Sequence, residues 1–205
     1  IRTLSEFAAK RGAEIGYENV FDYSLGNPSV PVPQEFTDCC IRLLREKDPM
    51  QIHGYSPSLG IWSVREAVAA SLNRRFGMDY GPEHIFMASG AAGALAHAFR
   101  AVTKPGDEIL TFAPFFPEYR PYVEGAGDVL KVVPADTETF QIHFEAFEEL
   151  LSEKTAAVLI NSPNNPSGIV YSEETLRRLA DLLRQKQEEY GHDIFLISDE
   201  PYREI

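Results

Sequence analysis

Short apolar runs alternate with amphipathic stretches along the chain from about residue 84 onward. The apolar runs predict strands over residues 84–87, 108–112, 129–133, 156–160 and 194–197. Helical spacing of apolar positions predicts helices near residues 91–102, 116–124, 144–151 and 172–189. Regular alternation of strand and helix is typical of an α/β fold, with a mostly parallel sheet flanked by helices.

The pattern before residue 84 is different. It predicts helices over 4–15, 33–46 and 61–76, a short strand over 20–25, and an irregular segment over 48–60. We therefore expect a domain boundary near residues 48–52. Residues 1–48 would form part of a small domain with an N-terminal arm, and residues 49–205 an incomplete large α/β domain. Because the chain starts without Met and stops soon after a polar loop, we expect a truncated, internal piece of a longer protein.

The composition fits a globular enzyme and narrows the class of partner. The chain is 44% hydrophobic and 24% charged, with a net charge of −12. Such a charge opposes nucleic-acid binding, which depends on clustered Lys and Arg. No apolar run approaches the roughly 18 residues of a membrane span, so no membrane association is expected. The adjacent Cys39 and Cys40 suit a reducing compartment, and we expect a cytoplasmic protein. The histidines have no metal-ligand spacing, so no metal site is expected.

Two polar motifs follow the last two predicted strands. The sequence NSPNNPSG occupies residues 161–168, and SDEPY occupies residues 198–202. The carboxyl ends of parallel strands meet at one edge of the sheet, where ligands bind in open α/β folds. The pattern therefore predicts that the amide of Asn165, the carboxylate of Asp199 and the phenol of Tyr202 lie at one edge.

Two earlier loops add candidate binding groups. Residues 88–95, ASGAAGAL, lead from a strand into a helix, where backbone N–H groups can hold a phosphate. The small residues could equally serve only close packing. In the loop 113–117, APFFP, Phe116 could cover a flat ligand or pack in the core. Asn165 could likewise serve turn chemistry alone, and Asp199 could cap a helix.

Taken together, a phosphate cradle, a stacking ring, a donor to a phenolate and a carboxylate for a ring nitrogen describe a pyridoxal 5′-phosphate (PLP) site. Four sequence blocks resemble the class I/II aminotransferases, which are fold-type I PLP enzymes. The blocks are LGNP at 25–28, GYSP at 54–57 with Gly60, NNPSG at 164–168 and SDEPY at 198–202. The resemblance covers essentially the whole chain. It implies the fold-type I PLP transferase fold, with a small N-terminal segment of a second domain.

The resemblance implies a role for each residue near the cofactor phosphate and ring face. The backbone amides of Ala91 and Ala92 match those that hold the phosphate, after a turn at Gly90. Phe116 matches the aromatic residue that stacks on the pyridine ring. Tyr55 matches a tyrosine that reaches the phosphate of the neighbouring subunit, which implies a homodimer with shared active sites.

The resemblance also implies roles around the reacting atoms. Asn165 and Tyr202 match donors to the ring O3′, and Asp199 matches the carboxylate that keeps the pyridine nitrogen protonated. Asp199 and Tyr202 are thus the expected catalytic residues of this chain. Gly26 matches a glycine whose N–H meets the substrate α-carboxylate, and Asn165 is also expected on the substrate side.

The family's Schiff-base lysine lies downstream of the SDEPY motif, and none of the lysines in this chain matches it. The chain alone is therefore expected to be inactive. The implied reaction is transfer of an amino group from an amino acid to a 2-oxo acid. Two alternatives remain: another fold-type I PLP reaction, such as that of a C–S lyase or decarboxylase, and a non-catalytic aminotransferase-like domain of a regulator.

Overall fold

The computed structural model describes residues 2–24, 26 and 30–204. The chain divides into two compact units, Ile1–Ser56 and Pro57–Ile205. The division therefore falls between Ser56 and Pro57, whereas the sequence analysis placed the domain boundary after residue 48.

The first unit is helical. Its helices are α1 (Arg2–Ile15), α2 (Gln34–Glu46) and α3 (Pro49–His53), with a 3₁₀ turn at Tyr17–Asn19. The helices predicted over 4–15 and 33–46 are confirmed as α1 and α2. The predicted strand over 20–25 is wrong over residues 20–24, the part of it that the structure describes. The described residues of the first unit contain no strand, so this segment has no neighbour with which to form a hydrogen-bonded ladder.

Helix α3 lies inside the segment that the sequence analysis treated as irregular. Asp48 caps it by accepting a hydrogen bond from the backbone N–H of Met50 at 3.0 Å. Pro49 follows at the first helical position, where its missing N–H carries no penalty. The pair Asp48-Pro49 is a helix-start signal that the sequence analysis did not use.

The second unit is a parallel α/β sheet with helices on both faces. Its elements are α4 (Trp62–Phe76), a 3₁₀ turn (Pro82–His84), α5 (Gly90–Val102), β1 (Glu108–Phe112), α6 (Tyr119–Glu124), β2 (Val129–Val133), α7 (Phe144–Leu150), β3 (Thr155–Asn161), α8 (Glu173–Tyr190) and β4 (Phe195–Asp199). The strand order is β2-β1-β3-β4, and each neighbouring pair is parallel. The predicted fold class is confirmed.

The predicted strand over 84–87 is wrong. Ile85 has an extended backbone, but no strand among the described residues pairs with this segment. Its polar groups are satisfied elsewhere: Nε of the buried Arg65 donates to the Ile85 carbonyl at 2.8 Å, and the Met87 N–H donates to Leu59 O at 3.2 Å. Gly60 permits the close approach, since a Cβ there would lie 2.4 Å from Met87 Cγ. These contacts fix the segment that leads into α5.

The core lies on the two faces of the sheet. Every residue of β3 is buried, which explains why this central strand is a continuous apolar run in the sequence. One face of the sheet packs against α7 and α8 through residues such as Phe147 and Leu179. The other packs against α5 and α6 through residues such as Phe99 and Val123. Strand β4 has only β3 beside it among the described strands.

Asp128, immediately before β2, is a buried carboxylate that is only 5% exposed. Its Oδ2 lies 2.6 Å from Thr103 Oγ1, which also lies 2.8 Å from Phe99 O, so one hydroxyl hydrogen faces two acceptors. Oδ1 has no hydrogen-bond partner within the described part of the chain. Burial, together with the nearby charge of Asp107, raises the pKa of Asp128, while its bond to Thr103 and the charge of Arg100 oppose the rise.

We expect Asp128→Asn to stabilise the full-length protein at neutral pH by about 1 kcal/mol, or roughly 1–2 °C in Tm. The amide carries no charge, and it can donate to Thr103 so that the threonine hydrogen goes to Phe99 O. Because the folded-state pKa is raised, the ionised carboxylate destabilises the protein fully only above that pKa. The gain in Tm should therefore shrink as the pH falls toward the ordinary pKa of Asp. Thermal unfolding of both proteins at neutral pH and at a pH near the ordinary pKa of Asp tests this expectation. A gain in Tm that is the same at the two pH values would contradict it.

Candidate active site

A cavity of about 270 Å³ lies at the carboxyl edge of the sheet. It is lined by Ala91, Ala92, Leu95, Phe116, Tyr119, Tyr122, Asn161, Asn165, Asp199, Pro201 and Tyr202. These residues come from the start of α5, from α6 and the loop before it, and from the ends of β3 and β4. Six of them were predicted from the sequence as site residues: Ala91, Ala92, Phe116, Asn165, Asp199 and Tyr202. The structure thus brings together groups that are distant in the chain.

Asp199 is the last residue of β4 and is held by a buried phenol. Tyr119 Oη donates to Asp199 Oδ2 at 2.5 Å, and Tyr119 is only 1% exposed. Burial first, and then the hydrogen bond to Asp199 and its charge, raise the pKa of Tyr119. The phenol therefore stays protonated at neutral pH. A carboxylate has about four acceptor positions, so Asp199 keeps the capacity to accept a further N–H.

Asn161 joins the ends of the two strands that carry the site. It lies opposite Asp199 in the register of β3 and β4 and is 4% exposed. Its Nδ2 donates to Asp199 O at 2.8 Å, and its Oδ1 accepts from the backbone N–H of Asn165 at 2.7 Å. One buried amide therefore sets the position of the SDEPY loop relative to the NSPNNPSG loop.

Asn165 and Tyr202 form a pair of donors at the cavity wall. Asn165 Nδ2 donates to Tyr202 Oη at 3.0 Å. In this bond the phenol oxygen is the acceptor, so the hydroxyl hydrogen of Tyr202 remains for another acceptor. The second N–H of the Asn165 amide is also not used by this bond. The pair can thus offer donors to an oxygen atom in the cavity.

Phe116 is the phenylalanine that lines the cavity, and its ring contacts that of Tyr119. The edge-to-face contact of these rings has a centroid distance of 5.7 Å and an interplanar angle of 78°. Phe115, the other aromatic residue of the loop, instead stacks on Tyr119 at 6.4 Å and 14° and does not line the cavity. The structure therefore assigns the two phenylalanines different environments, as the sequence could not.

The N-terminus of α5 faces the cavity through Ala91 and Ala92. Its first N–H groups have no intrahelical acceptor, and Ser89 at the N-cap makes no side-chain capping bond. Gly90 has φ +71°, a left-handed conformation that favours glycine and makes the turn into the helix. Free N–H groups and the helix dipole make this end suitable for an anion such as a phosphate.

The remaining predicted site residues lie in the other unit. Gly26 and Tyr55 both belong to Ile1–Ser56, and the side chain of Tyr55 is fully exposed. The LGNP block falls largely on Leu25, Asn27 and Pro28, which lie outside the described residues. The roles of Gly26 and Tyr55 therefore remain predictions.

Several residues that line the cavity were not predicted from the sequence, above all Asn161, Tyr119 and Pro201. Asn161 stands at the head of the NSPNNPSG motif, directly after the apolar run of β3, and this position was the available signal for it. Tyr119 follows Phe116 by three residues but gives no signal of its pairing with Asp199, which is 80 residues away. In the described part of the chain, no cluster of side chains could hold a metal ion.

Comparison with known proteins identifies the family. The sequence model of aminotransferase class I and II matches residues 18–205. The chain belongs to the class I and II aminotransferases.

Named aminotransferases resemble the chain over most of its length. It is 36% identical to the aspartate aminotransferase of Thermotoga maritima, over 90% of this chain and 47% of that protein. It is also 36% identical to a probable aspartate/prephenate aminotransferase of Aquifex aeolicus, over 90% of this chain and 44% of that protein. The solved structure of an amino transferase from Eubacterium rectale superposes with a TM-score of 0.95 at 49% identity, covering 100% of this chain and 52% of that one. The chain spans about half the length of the curated relatives it matches.

The class I and II aminotransferases use PLP, and the cavity of this chain fits that cofactor. The uncapped start of α5 suits the phosphate, and the ring of Phe116 suits an aromatic face. The donors Asn165 and Tyr202 suit a phenolate oxygen. Asp199, held by a protonated phenol, suits a protonated ring nitrogen. The phosphate, the phenolate oxygen and the ring nitrogen of the cofactor thus each have a counterpart of matching chemistry in this chain.

Proposed function

We propose that the full-length protein transfers an amino group from an amino acid to a 2-oxo acid with PLP as cofactor. This chain would supply part of the cofactor site. The observation that carries the proposal is that one cavity combines a tethered carboxylate, a pair of donors, an aromatic ring and a free helix N-terminus. No helix in the described residues is long and apolar enough to cross a membrane.

In this proposal the cofactor is held at its phosphate and over its ring. The backbone amides of Ala91 and Ala92, after the turn at Gly90, bind the phosphate. Phe116 covers the ring. Because these contacts are not made to the atoms that react, they contribute mainly to affinity and orientation.

The polar residues of the cavity act on the cofactor ring. Asn165 and Tyr202 donate hydrogen bonds to the phenolic oxygen, and Asp199 holds the proton on the ring nitrogen. When bound, the protonated ring withdraws electrons from the substrate carbon that loses its proton. Asp199 and Tyr202 are therefore the proposed catalytic residues of this chain.

The proposal extends to the substrate and the assembly. Gly26, through its backbone N–H, and Asn165 would bind the α-carboxylate of the amino acid. Tyr55, whose side chain is fully exposed, would reach the cofactor phosphate of a second subunit in a homodimer. Residues 1–48 would belong to the small domain and arm, and the rest to the PLP-binding domain. The unpaired Cys39 and Cys40 support a cytoplasmic location.

Product analysis of the PLP-loaded full-length protein tests the reaction. The protein is incubated with aspartate, then with other amino acids, each with a 2-oxo acid as acceptor. Aspartate comes first because relatives are named for it. We expect the oxo acid of the donor and the amino acid of the acceptor in equal amounts. Release of an amine with carbon dioxide would indicate a decarboxylase, and release of a thiol from a sulfur amino acid a C–S lyase. If no donor gives any product, the proposal that the protein is an enzyme is contradicted.

We expect Phe116→Leu to raise the Kd for PLP about tenfold, because the substitution removes the aromatic face that covers the ring. The matched control is Phe115→Leu, which changes a neighbouring ring that does not line the cavity. Fluorescence titration of the full-length apoprotein with PLP measures both constants. Equal effects of the two substitutions would show that Phe116 acts only by packing.

A further inference from the structure

Tyr119 connects the carboxylate of the site with its aromatic ring. Its hydroxyl donates to Asp199 Oδ2 at 2.5 Å, and its ring contacts Phe116 edge-to-face at 5.7 Å. It begins α6 and is 1% exposed, packed in the same cluster as Phe99 and Val123. A phenol so firmly packed can hold its hydrogen-bond partner in one orientation.

The direction of the hydrogen bond follows from the charges. An ionised carboxylate can only accept, so Tyr119 is the donor. Burial, the bond to Asp199 and its charge raise the pKa of Tyr119, so the donor is present throughout the neutral range. The contact thus fixes one oxygen of Asp199, and with it the orientation of the carboxylate.

We propose that Tyr119 is a positioning residue for the reaction, which holds the Asp199 carboxylate in the orientation that pairs with the protonated ring nitrogen of PLP. This inference rests on the proposed function. Without the Tyr119 hydroxyl, the carboxylate can rotate and then pairs less well with the ring nitrogen. This change weakens the electron withdrawal on which the reaction depends. Binding of the amino acid, in contrast, does not involve this contact.

The backbone of the site is held independently of Tyr119, which makes the hydroxyl separable from the fold. Asn161 fixes the main chain at Asp199 through its bond to the Asp199 carbonyl at 2.8 Å. The Tyr119 ring accounts for the packing with Phe116 and the core. Tyr119→Phe keeps this ring and removes only the oxygen. The matched control is Tyr171→Phe, since Tyr171 is a buried tyrosine of the same unit outside the cavity.

The test uses the full-length, PLP-loaded protein. We expect Tyr119→Phe to lower kcat about tenfold, with KM for the amino acid changed less than about twofold. The pH midpoint of the visible absorption of the bound cofactor should shift relative to the wild type. Tyr171→Phe should leave kcat and this midpoint unchanged. Wild-type values of kcat and of the midpoint in Tyr119→Phe would overturn the inference.

A double-mutant cycle separates positioning from general destabilisation. Tyr119→Phe is combined with Asp199→Ala, and the inference predicts that it then lowers kcat no further. An equal loss in both backgrounds would mean a merely structural role and would overturn the inference. The proposed function has a separate readout. A wild-type protein that neither binds PLP nor transaminates would overturn the proposed function and this inference together. If the wild type is active and Tyr119→Phe has the same activity, only this inference is overturned.

Discussion

Replacing Asp199 with alanine in the full-length protein is expected to lower kcat for transamination by about 10²–10³-fold. The Kd for PLP should change much less. Asp199 is the group that can keep a ring nitrogen protonated, and its carboxylate is already tethered by Tyr119 at 2.5 Å. The contacts proposed for the phosphate and the ring face come from other elements, the start of α5 and the loop before α6, and these are left intact.

The control for Asp199→Ala is Glu200→Ala. Glu200 is the next residue, its carboxylate accepts from Ser198 Oγ at 2.8 Å, and it does not line the cavity. Steady-state kinetics and PLP titration of both variants give kcat and Kd. A large rise in Kd with kcat preserved at saturating PLP would mean that Asp199 serves cofactor binding rather than chemistry. Equal losses in both variants would point to disruption of the loop.

Replacing Asn161 with leucine is expected to affect both stability and activity. The substitution leaves two partly buried backbone groups unpaired, the Asn165 N–H and the Asp199 carbonyl. A fully buried unpaired group destabilises a protein by about 1–3 kcal/mol, so for these two we expect a loss of about 2 kcal/mol in the free energy of unfolding. The two loops also lose their shared support. We therefore expect kcat/KM to fall by about 10²-fold in the protein that remains folded.

Thr111→Val is the matched control for Asn161→Leu. Thr111 is also a buried polar residue of the sheet, and its Oγ1 donates to Leu159 O at 3.0 Å, away from the cavity. It should lower stability by about 1 kcal/mol and leave kcat/KM unchanged. Denaturant unfolding and kinetics at a temperature where each variant is folded separate the two effects. Normal kcat/KM in folded Asn161→Leu would show that the loops hold their positions without it.

The sequence predicted those parts of the fold that depend on local pattern. The unbroken apolar run of β3 and the amphipathic spacing of α8 were sufficient, because a central parallel strand and a surface helix each have a characteristic pattern. The segment at 84–87 has the apolar pattern of a strand, but strand formation also requires a neighbouring strand, and Ile85 is bonded to Arg65 instead. Pairing of this kind is not encoded in the segment itself.

The candidate site shows the same difference between local sequence patterns, which allow prediction, and long-range contacts, which do not. Asn165, Asp199 and Tyr202 could be predicted because each belongs to a motif at the end of a strand, and parallel strands bring such ends together. The support of the site could not be predicted. The bond from Tyr119 to Asp199 depends on how α6 packs over the sheet, and that packing is set by the core cluster around Phe99 and Val123.

The most direct test of the proposed cofactor site is a crystal structure of the full-length protein with PLP bound. We predict that the pyridine nitrogen lies within about 2.7–2.9 Å of an Asp199 carboxylate oxygen. We also predict that the phosphate contacts the amides of Ala91 and Ala92 and that Phe116 lies against the ring. PLP bound outside this cavity, or bound within it with the nitrogen turned away from Asp199, would contradict the central claim.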